Sequence, residues 1–295
     1  MHDAKLYILI AYPYFSNVAY KFFQENKRDD YELLVDSGAF TAYNSGKEVK
    51  LDDYCKFLDS IKPLGDLPAI QLDVIGNTKE GWQNYLTMKE RGYKVLPVFH
   101  RGDDIEFLDR LWEESEHVCI AGIMRKTKWK PYAKWLLDKA GDRKSHWLAF
   151  VNMPFIKHYK PYSVDSSSWR AAMRYGMLSL PRSDGTFKIV PRKNFSQRPS
   201  QEILELLYRL GLTDAQIGLL RFEASWRGSY KIDFIPENSA VAVAGFADAV
   251  NAMAHIKRAF DVRKRIGTKI HLAIESGSLG IIFTAYDFLK KRDVL

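Results

Sequence analysis

Short apolar runs alternate with stretches of helical period along the first half of the chain, and this alternation constrains the fold most. The runs include KLYILIAY at 5–12, YELLVD at 31–36 and PAIQLD at 68–73. From residue 5 to 169 we count about seven strand-then-helix units, at intervals of roughly 25–35 residues. Such units imply a parallel sheet. The repetition predicts an α/β fold, a (β/α)8 TIM-like barrel, with an open doubly wound sheet as the alternative.

The regular alternation ends near residue 176, and a different pattern follows. The stretch MLSLPRSDGTFKIVPRKN at 177–194 predicts a β-hairpin that turns at Ser183-Asp184-Gly185. Helical patterns come next, and TKIHLAIESG supplies the eighth strand. A length of 295 residues fits one barrel of roughly 250 residues with additions. We therefore predict a single domain over 1–295, with the inserted β-hairpin and extra helices at about 177–235.

Nucleotide-binding motifs and metal-binding clusters are absent from the sequence. No GxGxxG follows the first strand and no GxxxxGK[ST] occurs, which argues against dinucleotide-binding and P-loop folds. Cys55 and Cys119 are too few for a zinc cluster or a disulfide framework. We expect no cofactor and no structural metal, and a reduced compartment is the simplest interpretation.

The charge of the chain favours a polyanionic partner. The formal net charge is +8 and the sequence pI is about 9.2. No apolar stretch approaches the roughly 18 residues of a membrane span, and the N-terminal apolar run is too short for a signal sequence. We expect no membrane partner and a cytoplasmic location, which is the host cytoplasm for a phage-encoded chain. The oligomeric state is open, and a homo-oligomer is compatible with the sequence.

Three of the predicted strands end in a carboxylate: Asp36, Asp73 and Asp165. Each one alone could simply cap the helix that follows. Three carboxylates at the same end of barrel strands are harder to explain in that way, because this end of a barrel holds the active site. The pattern predicts one pocket that all three side chains face. A magnesium ion shared by the three carboxylates is an alternative that the sequence leaves open.

The motifs around these carboxylates resemble those of a known family. DSGAF at 36–40 resembles the DSGGF motif of the tRNA-guanine transglycosylases, and QLDVIG at 71–76 resembles that family's strand ending in an Asp that reads guanine. YSVDSSSW at 162–169 stands where the family carries its nucleophilic Asp. With FHRG at 99–102, the combination is most similar to the phage and bacterial 7-deazaguanine DNA transglycosylases. The resemblance covers about residues 31–170.

The resemblance implies a base-exchange reaction on a nucleic acid. Guanine in DNA would be replaced by a 7-deazaguanine such as preQ0 or a derivative, through a covalent sugar–enzyme intermediate; tRNA is the less favoured target. Asp165 would be the nucleophile and Asp36 would transfer the proton. Asp73 would accept hydrogen bonds from the N1–H and N2–H₂ groups of guanine.

Four further residues follow from the same resemblance or lie beside it in sequence. Ser37 and Gly38 would shape the oxyanion side through their backbone N–H groups, or would simply form a tight turn. Phe40 could stack on a base, and His100 could hydrogen-bond one. A buried histidine with no ligand is the alternative for His100.

The chain departs from the tRNA enzymes at two places. It lacks the CxCxxC…H zinc site that follows their nucleophile, and it has AGIMRK at 121–126 where they have a GGLAVGE loop. Of that loop, only Gly122 carries over as a residue that contacts the base.

Two basic segments that contain aromatic residues are candidates for contact with phosphates. RKTKWK at 125–130 and the predicted hairpin mix Lys and Arg with aromatic side chains, as nucleic-acid grooves do. A solvated basic surface is the alternative. The candidate residues are Arg125, Lys126, Lys128, Lys130, Arg182, Lys188, Arg192 and Lys193.

Three functions stay open from the sequence. The first is a base transglycosylase that acts on DNA. The second is a metal-dependent phosphodiesterase or nuclease on the same barrel, with the carboxylates as Mg²⁺ ligands. The third is a barrel that binds nucleic acid without catalysis.

Overall fold

One sheet of parallel strands dominates the fold. The computed structural model describes residues 5–123, 128–225 and 246–295, and within them nine strands form this sheet, in the order β4-β3-β2-β1-β11-β8-β7-β6-β5. The predicted α/β class is confirmed. The strands of the chain are β1 (Leu6–Ala11), β2 (Tyr31–Asp36), β3 (Ala69–Ile70), β4 (Val95–Leu96), β5 (Val98–His100), β6 (His117–Ala121), β7 (Lys144–Trp147), β8 (Ser163–Ser166), β9 (Met177–Pro181), β10 (Phe187–Pro191) and β11 (Lys269–Ile274).

The two edges of this sheet meet at one short segment of chain. The edge strands β4 and β5 are separated by Pro97 alone. The carbonyl of Leu96 accepts a hydrogen bond from the N–H of Gln71 at 3.0 Å on one side, and the carbonyl of Pro97 accepts one from Cys119 at 2.7 Å on the other. The Gln71 side chain also accepts from the N–H of Val98 at 3.1 Å. The sheet is therefore barrel-like and nearly closed.

The interior of the sheet is an apolar core to which strands β1 to β6 all contribute. Buried side chains from these six strands pack into one cluster, a pattern that is typical of a sheet curled around its own core. The cluster consists of Leu9, Leu34, Ile70, Leu96, Val98, Cys119 and Ala121.

Helices connect the parallel strands, as βα units require. Local capping fixes several helix starts: Ser16 accepts a hydrogen bond from Ala19 N–H, and Asn77 accepts one from Glu80 N–H. The helices are α1 (Asn17–Glu25), α2 (Ala39–Asn44), α3 (Leu51–Ile61), α4 (Thr78–Glu90), α5 (Ile105–Glu114), α6 (Trp129–Ala140), α7 (Met153–Tyr159), α8 (Ser168–Arg174), α9 (Gln201–Tyr208), α10 (Asp214–Ser225), α11 (Phe246–Ile266) and α12 (Leu279–Lys291). Among these described helices, none is long and apolar enough to cross a membrane.

Backbone contacts divide the chain into two compact units. Tyr7–Ser166 and Ile266–Ser276 form the first, which we call the sheet unit, and the remainder of the described chain forms the second, which we call the hairpin unit. The single domain over 1–295 with an insertion at about 177–235 stays a prediction.

The hairpin unit contains the predicted β-hairpin. Strands β9 and β10 pair antiparallel, and Arg182 N–H donates to Thr186 O at 2.9 Å across the turn. The hairpin is therefore confirmed. Asn251 of α11 binds the same strand twice, because its Oδ1 accepts from Ser179 N–H and its Nδ2 donates to Met177 O.

Candidate active site

The carboxylates that the sequence singles out lie together at one edge of the sheet unit. Asp36 is the last residue of β2, Asp165 lies in β8, and Asp73 follows β3 by three residues. In parallel strands these positions share the carboxyl edge, where barrel enzymes place their active sites. The charges of Asp73 and Asp165 both raise the pKa of Asp36, which shows that the three groups are near one another.

Asp36 stands at a tight corner between β2 and α2. Its Oδ1 accepts a hydrogen bond from Gly38 N–H at 3.3 Å, and Ser37 is fully buried behind it. Gly38 has a φ of +74°, and a Cβ at this position would lie 2.4 Å from Cδ of Pro13. Glycine is therefore required here for both conformation and space. The N–H of Gly38 points at Asp36, and the N–H of Ala39 points at Ser37 Oγ.

The environment of Asp36 favours its protonated form. Burial of the carboxyl group, with smaller contributions from the charges of Asp73 and Asp165, raises the pKa of Asp36 to about 7, although hydrogen bonds from backbone N–H groups oppose the shift. Asp36 itself keeps part of its solvent contact. A carboxyl group with a pKa near neutrality can both give and take a proton at physiological pH.

Asp73 forms a close pair with His100, the last residue of β5. His100 Nε2 lies 2.7 Å from Asp73 Oδ2. Burial alone would lower the pKa of His100, but the hydrogen bond and charge of Asp73, with the charge of Asp103, outweigh it and raise the pKa. The Asp73 carboxyl group therefore favours the protonated form of His100.

Asp103 holds His100 in this position through the backbone N–H of His100. Its Oδ2 accepts from the backbone N–H of His100 at 2.8 Å, and its Oδ1 accepts from the Thr78 hydroxyl at 2.6 Å. The neighbouring Asp104, rather than Asp103, caps the next helix by accepting from Glu106 N–H.

One oxygen of Asp165 accepts a backbone hydrogen bond and lies close to an imidazole nitrogen. Its Oδ1 accepts a hydrogen bond from Ala149 N–H at 2.8 Å and lies 3.4 Å from Nε2 of His146. Ala149 has a φ of +51°, which is a strained value for a residue with a Cβ. His146 is fully buried, and its Nδ1 lies 2.9 Å from Ser163 Oγ.

Sequence reasoning missed Asp103, Ala149 and His146. For Asp103 there was a signal, because it follows His100 by three residues across a turn. The alternation in SHWLAF could have predicted that the side chain of His146 is buried. Nothing in the sequence marks Ala149, because a left-handed residue is expected to be glycine.

The remaining predicted base-contact residues also lie at this edge. Phe40 is exposed on α2, close to Asp36 in sequence. Gly122 directly follows β6 with a φ of +73°, and a Cβ there would come no closer than 3.8 Å to Arg101. Gly122 is therefore required by conformation rather than by space.

The predicted phosphate-contact residues fall into three sets. Arg125 and Lys126 lie outside the described residues. Lys128 and Lys130 lie at the start of α6 in the sheet unit, with Lys130 Nζ 5.8 Å from the Trp129 ring.

The third set belongs to the hairpin unit. Arg182 and Lys188 both pair with Glu202, and Arg192 lies 3.8 Å from Asp248, while Lys193 is exposed. Three of these four cations therefore already face a carboxylate, and their role in binding phosphate stays a prediction.

Within the described ranges, no three His, Cys, Asp or Glu side chains are placed to hold a metal ion. Asp73 is instead engaged with His100, and Asp165 with backbone and imidazole groups.

Comparisons of the chain with protein-family models, with curated proteins and with solved structures found no match.

Proposed function

We propose that this protein exchanges guanine in DNA for a 7-deazaguanine by double displacement through a covalent aspartyl–sugar intermediate. The observation that carries the proposal is the difference among the three clustered carboxylates. One sits where its pKa is near 7, one is paired with an imidazole, and one is fixed by a backbone donor on a single oxygen. Base exchange needs three such roles: an acid and base, a reader of the purine and a nucleophile.

The proposal includes a (β/α)8 barrel as the scaffold. Counting β4 and β5 as one strand bent at Pro97 gives eight strands, and the last one pairs with the first through β11 and β1. The carboxyl edge would then be a complete ring around the site.

Asp165 is the proposed nucleophile. Its carboxylate attacks C1′ of the target nucleotide, and the C1′–N9 bond breaks with its electron pair passing to guanine. The hydrogen bond from Ala149 N–H fixes Oδ1 of Asp165. Within the described residues no group donates to Oδ2, so this oxygen is left to attack.

Asp36 is the proposed acid and base. It gives its proton to the departing guanine and so becomes a carboxylate. It then takes the N9 proton from the incoming 7-deazaguanine, whose N9 attacks C1′ and releases Asp165. A pKa of about 7 suits a group that must do both in one cycle.

Asp73 and His100 are the proposed readers of the purine edge. The N1–H and N2–H₂ groups of guanine are donors, so the reader must stay an acceptor. His100 Nε2 occupies Oδ2 of Asp73 at 2.7 Å. Among the described residues, nothing donates to Asp73 Oδ1, which therefore suits a donor of the base.

The target base must leave the duplex to reach this site. C1′ and the base edge are enclosed in double-stranded DNA, so the nucleotide must be flipped or the substrate single-stranded. Phe40, exposed beside the Asp36 corner, suits stacking on an extruded base. Lys128 and Lys130 suit contact with phosphates.

Guanine uptake tests the proposal directly. Purified protein is incubated with radiolabelled guanine and single-stranded or duplex DNA, with and without EDTA, and label in the DNA is measured. We expect uptake in EDTA. DNA cleavage that EDTA abolishes, with no uptake, would instead support the nuclease, and DNA binding with neither activity would support a non-catalytic protein. In a parallel reaction with tRNA in place of DNA, uptake into tRNA but not into DNA would make tRNA the target.

Asp165→Asn separates catalysis from folding. The amide keeps the shape and an acceptor for Ala149 N–H, so DNA binding should stay within about threefold of wild type. Uptake should fall by at least about 1000-fold, as expected for loss of a nucleophile. Uptake at the wild-type rate would show that Asp165 is not the nucleophile.

A further inference from the structure

We infer that His146 is a positioning residue that donates a hydrogen bond to Oδ1 of Asp165 and promotes release of the sugar from this carboxylate. The inference rests on the proposed function. It starts from a contact that the proposed mechanism does not use: a buried imidazole whose Nε2 lies 3.4 Å from the carboxylate that would become covalently bound.

The hydrogen-bond partners of His146 assign its tautomer. Nδ1 of His146 lies 2.9 Å from Ser163 Oγ, whereas Nε2 forms no hydrogen bond among the described residues and lies 3.4 Å from Oδ1 of Asp165. A proton on Nδ1 alone would leave a bare lone pair on Nε2 facing a carboxylate oxygen in a buried site. The Ser163 hydroxyl can instead donate to Nδ1, which places the proton on Nε2 and directs it at Asp165.

The surroundings of His146 fix the ring and keep it among neutral groups. His271 packs edge-to-face against it with ring centroids 5.1 Å apart, and His117 does so at 6.4 Å. Burial lowers the pKa of His117 to about 3 and holds that of His271 well below its ordinary value, so both are uncharged near neutral pH. Among the described residues, the carboxylate recorded in contact with the imidazole is that of Asp165.

The backbone N–H of Ala149 and Nε2 of His146 lie next to the same oxygen, and this gives His146 a specific role. When Oδ2 of Asp165 is bonded to C1′, Oδ1 becomes the carbonyl oxygen of the ester. As the C1′–O bond breaks, its electron pair returns to the carboxylate and negative charge grows on Oδ1. The N–H of Ala149, 2.8 Å from Oδ1, and Nε2 of His146, 3.4 Å from Oδ1, are placed to stabilise that charge. His146 should therefore affect release more than attack.

Two rates measured on one adduct test this role. A 5′-labelled single-stranded DNA oligonucleotide is mixed with enzyme, and the denaturation-resistant adduct is followed as it forms and guanine departs. Excess free guanine is then added, and decay of the adduct is followed. The variants are His146→Phe combined with Ser163→Ala, which removes both polar groups together, and His146→Gln, whose amide N–H reaches a position near Nε2.

We expect the double variant to slow adduct decay about tenfold and to change formation by less than about threefold. His146→Gln should restore decay to within about threefold of wild type. Ser163→Ala alone, which keeps the imidazole but frees its tautomer, should slow decay by about threefold, and it serves as the second variant if the double variant folds poorly.

Three outcomes would overturn the inference. Unchanged decay in a folded double variant and in Ser163→Ala removes any role for His146. Formation and decay slowed equally, with no rescue by Gln, assigns His146 to packing alone. Absence of any adduct with wild-type protein overturns the proposed function, and this inference with it, whereas the first two outcomes overturn this inference alone.

Discussion

The corners around Asp36 and around Asp165, at the same edge of the sheet, share one backbone conformation but differ in their surroundings. In each corner a left-handed residue turns its N–H onto the carboxylate, Gly38 at 3.3 Å and Ala149 at 2.8 Å. The Asp36 corner adds burial and two neighbouring negative charges, and its pKa rises to about 7. The Asp165 corner adds an imidazole. In the proposed function, the Asp36 corner serves proton transfer and the Asp165 corner serves nucleophilic attack.

The comparison shows that the surroundings of a carboxylate, rather than its place at a strand end, assign its role. Asp36 accepts one long hydrogen bond and lies near two other carboxylates, so its charge is costly. Asp165 accepts a short hydrogen bond from Ala149, and Nε2 of His146 lies 3.4 Å from the same oxygen. Changes that make the corners alike should therefore remove their separate functions.

The largest effect is expected from Asp36→Asn. The variant should slow adduct formation by about 10²–10⁴-fold, since that is what a positioned general acid contributes. In wild type the acid form is populated below a pKa of about 7. Formation should therefore fall as pH rises through 7, and the variant should lose this dependence. Single-turnover rates between pH 5 and pH 9 would measure both effects.

The same variant should gain stability while it loses activity. Between the unfolded pKa of about 4 and the folded pKa of about 7, the native state binds more protons than the unfolded state, so stability falls as pH rises through this window. At pH 8, Asp36→Asn should be roughly 2–4 kcal/mol more stable than wild type, and at pH 4 nearly equal. Equal stability at both pH values in urea unfolding would contradict the assignment.

Gly38→Ala should destabilise the Asp36 corner by about 3 kcal/mol, because the variant adds a strained left-handed residue and a clash with Pro13. Gly122→Ala is the matched control, since it has nearly the same φ without a clash and should cost about 1 kcal/mol. Adding Pro13→Ala to Gly38→Ala should recover the difference. Equal costs for the two glycines in urea unfolding would show that Pro13 does not constrain this corner.

Asp73→Asn should lower kcat/KM for guanine exchange by roughly 100-fold, because an amide N–H would then face the donors of the base. It should also lower the pKa of His100, since burial would be opposed by Asp103 alone. An NMR titration of the His100 ring checks this second effect. A ring that titrates as in wild type would exclude the ion pair between Asp73 and His100.

Ala149→Gly should have the smallest effect. The N–H that binds Asp165 is kept, and glycine adopts a φ of +51° without strain. Adduct formation should stay within about threefold of wild type, and the free energy of unfolding should change by less than about 1 kcal/mol, towards greater stability. A large loss of activity would show that the Cβ of Ala149, rather than its N–H, matters at the Asp165 corner.

Local sequence was sufficient for the hairpin and for most strands, although β3 ends three residues before Asp73 and β8 continues one residue beyond Asp165. Each depends on a run of neighbouring residues: LLVD before the Asp36 corner, and SDG at the hairpin turn. The role of Asp103 was missed because its partner Thr78 lies 25 residues away in sequence. The contact of His146 with Ser163 depends on the register of β7 against β8, which no local pattern fixes.

The place where the two edges of the sheet meet could not be seen in the sequence either. Pro97 reads locally as a break within one strand. Only the pairing of Leu96 on one side and Pro97 on the other shows that the two edges of the sheet meet there.

The most direct test is to find the residue to which DNA becomes attached. Wild-type enzyme would be incubated with a single-stranded guanine-containing oligonucleotide, denatured, digested with protease and nuclease, and examined by mass spectrometry. The account predicts a sugar adduct on the peptide that contains Asp165, lost in Asp165→Asn and unaffected by EDTA. An adduct on Asp36 or on any other residue, or guanine exchange with no adduct on Asp165, would contradict it.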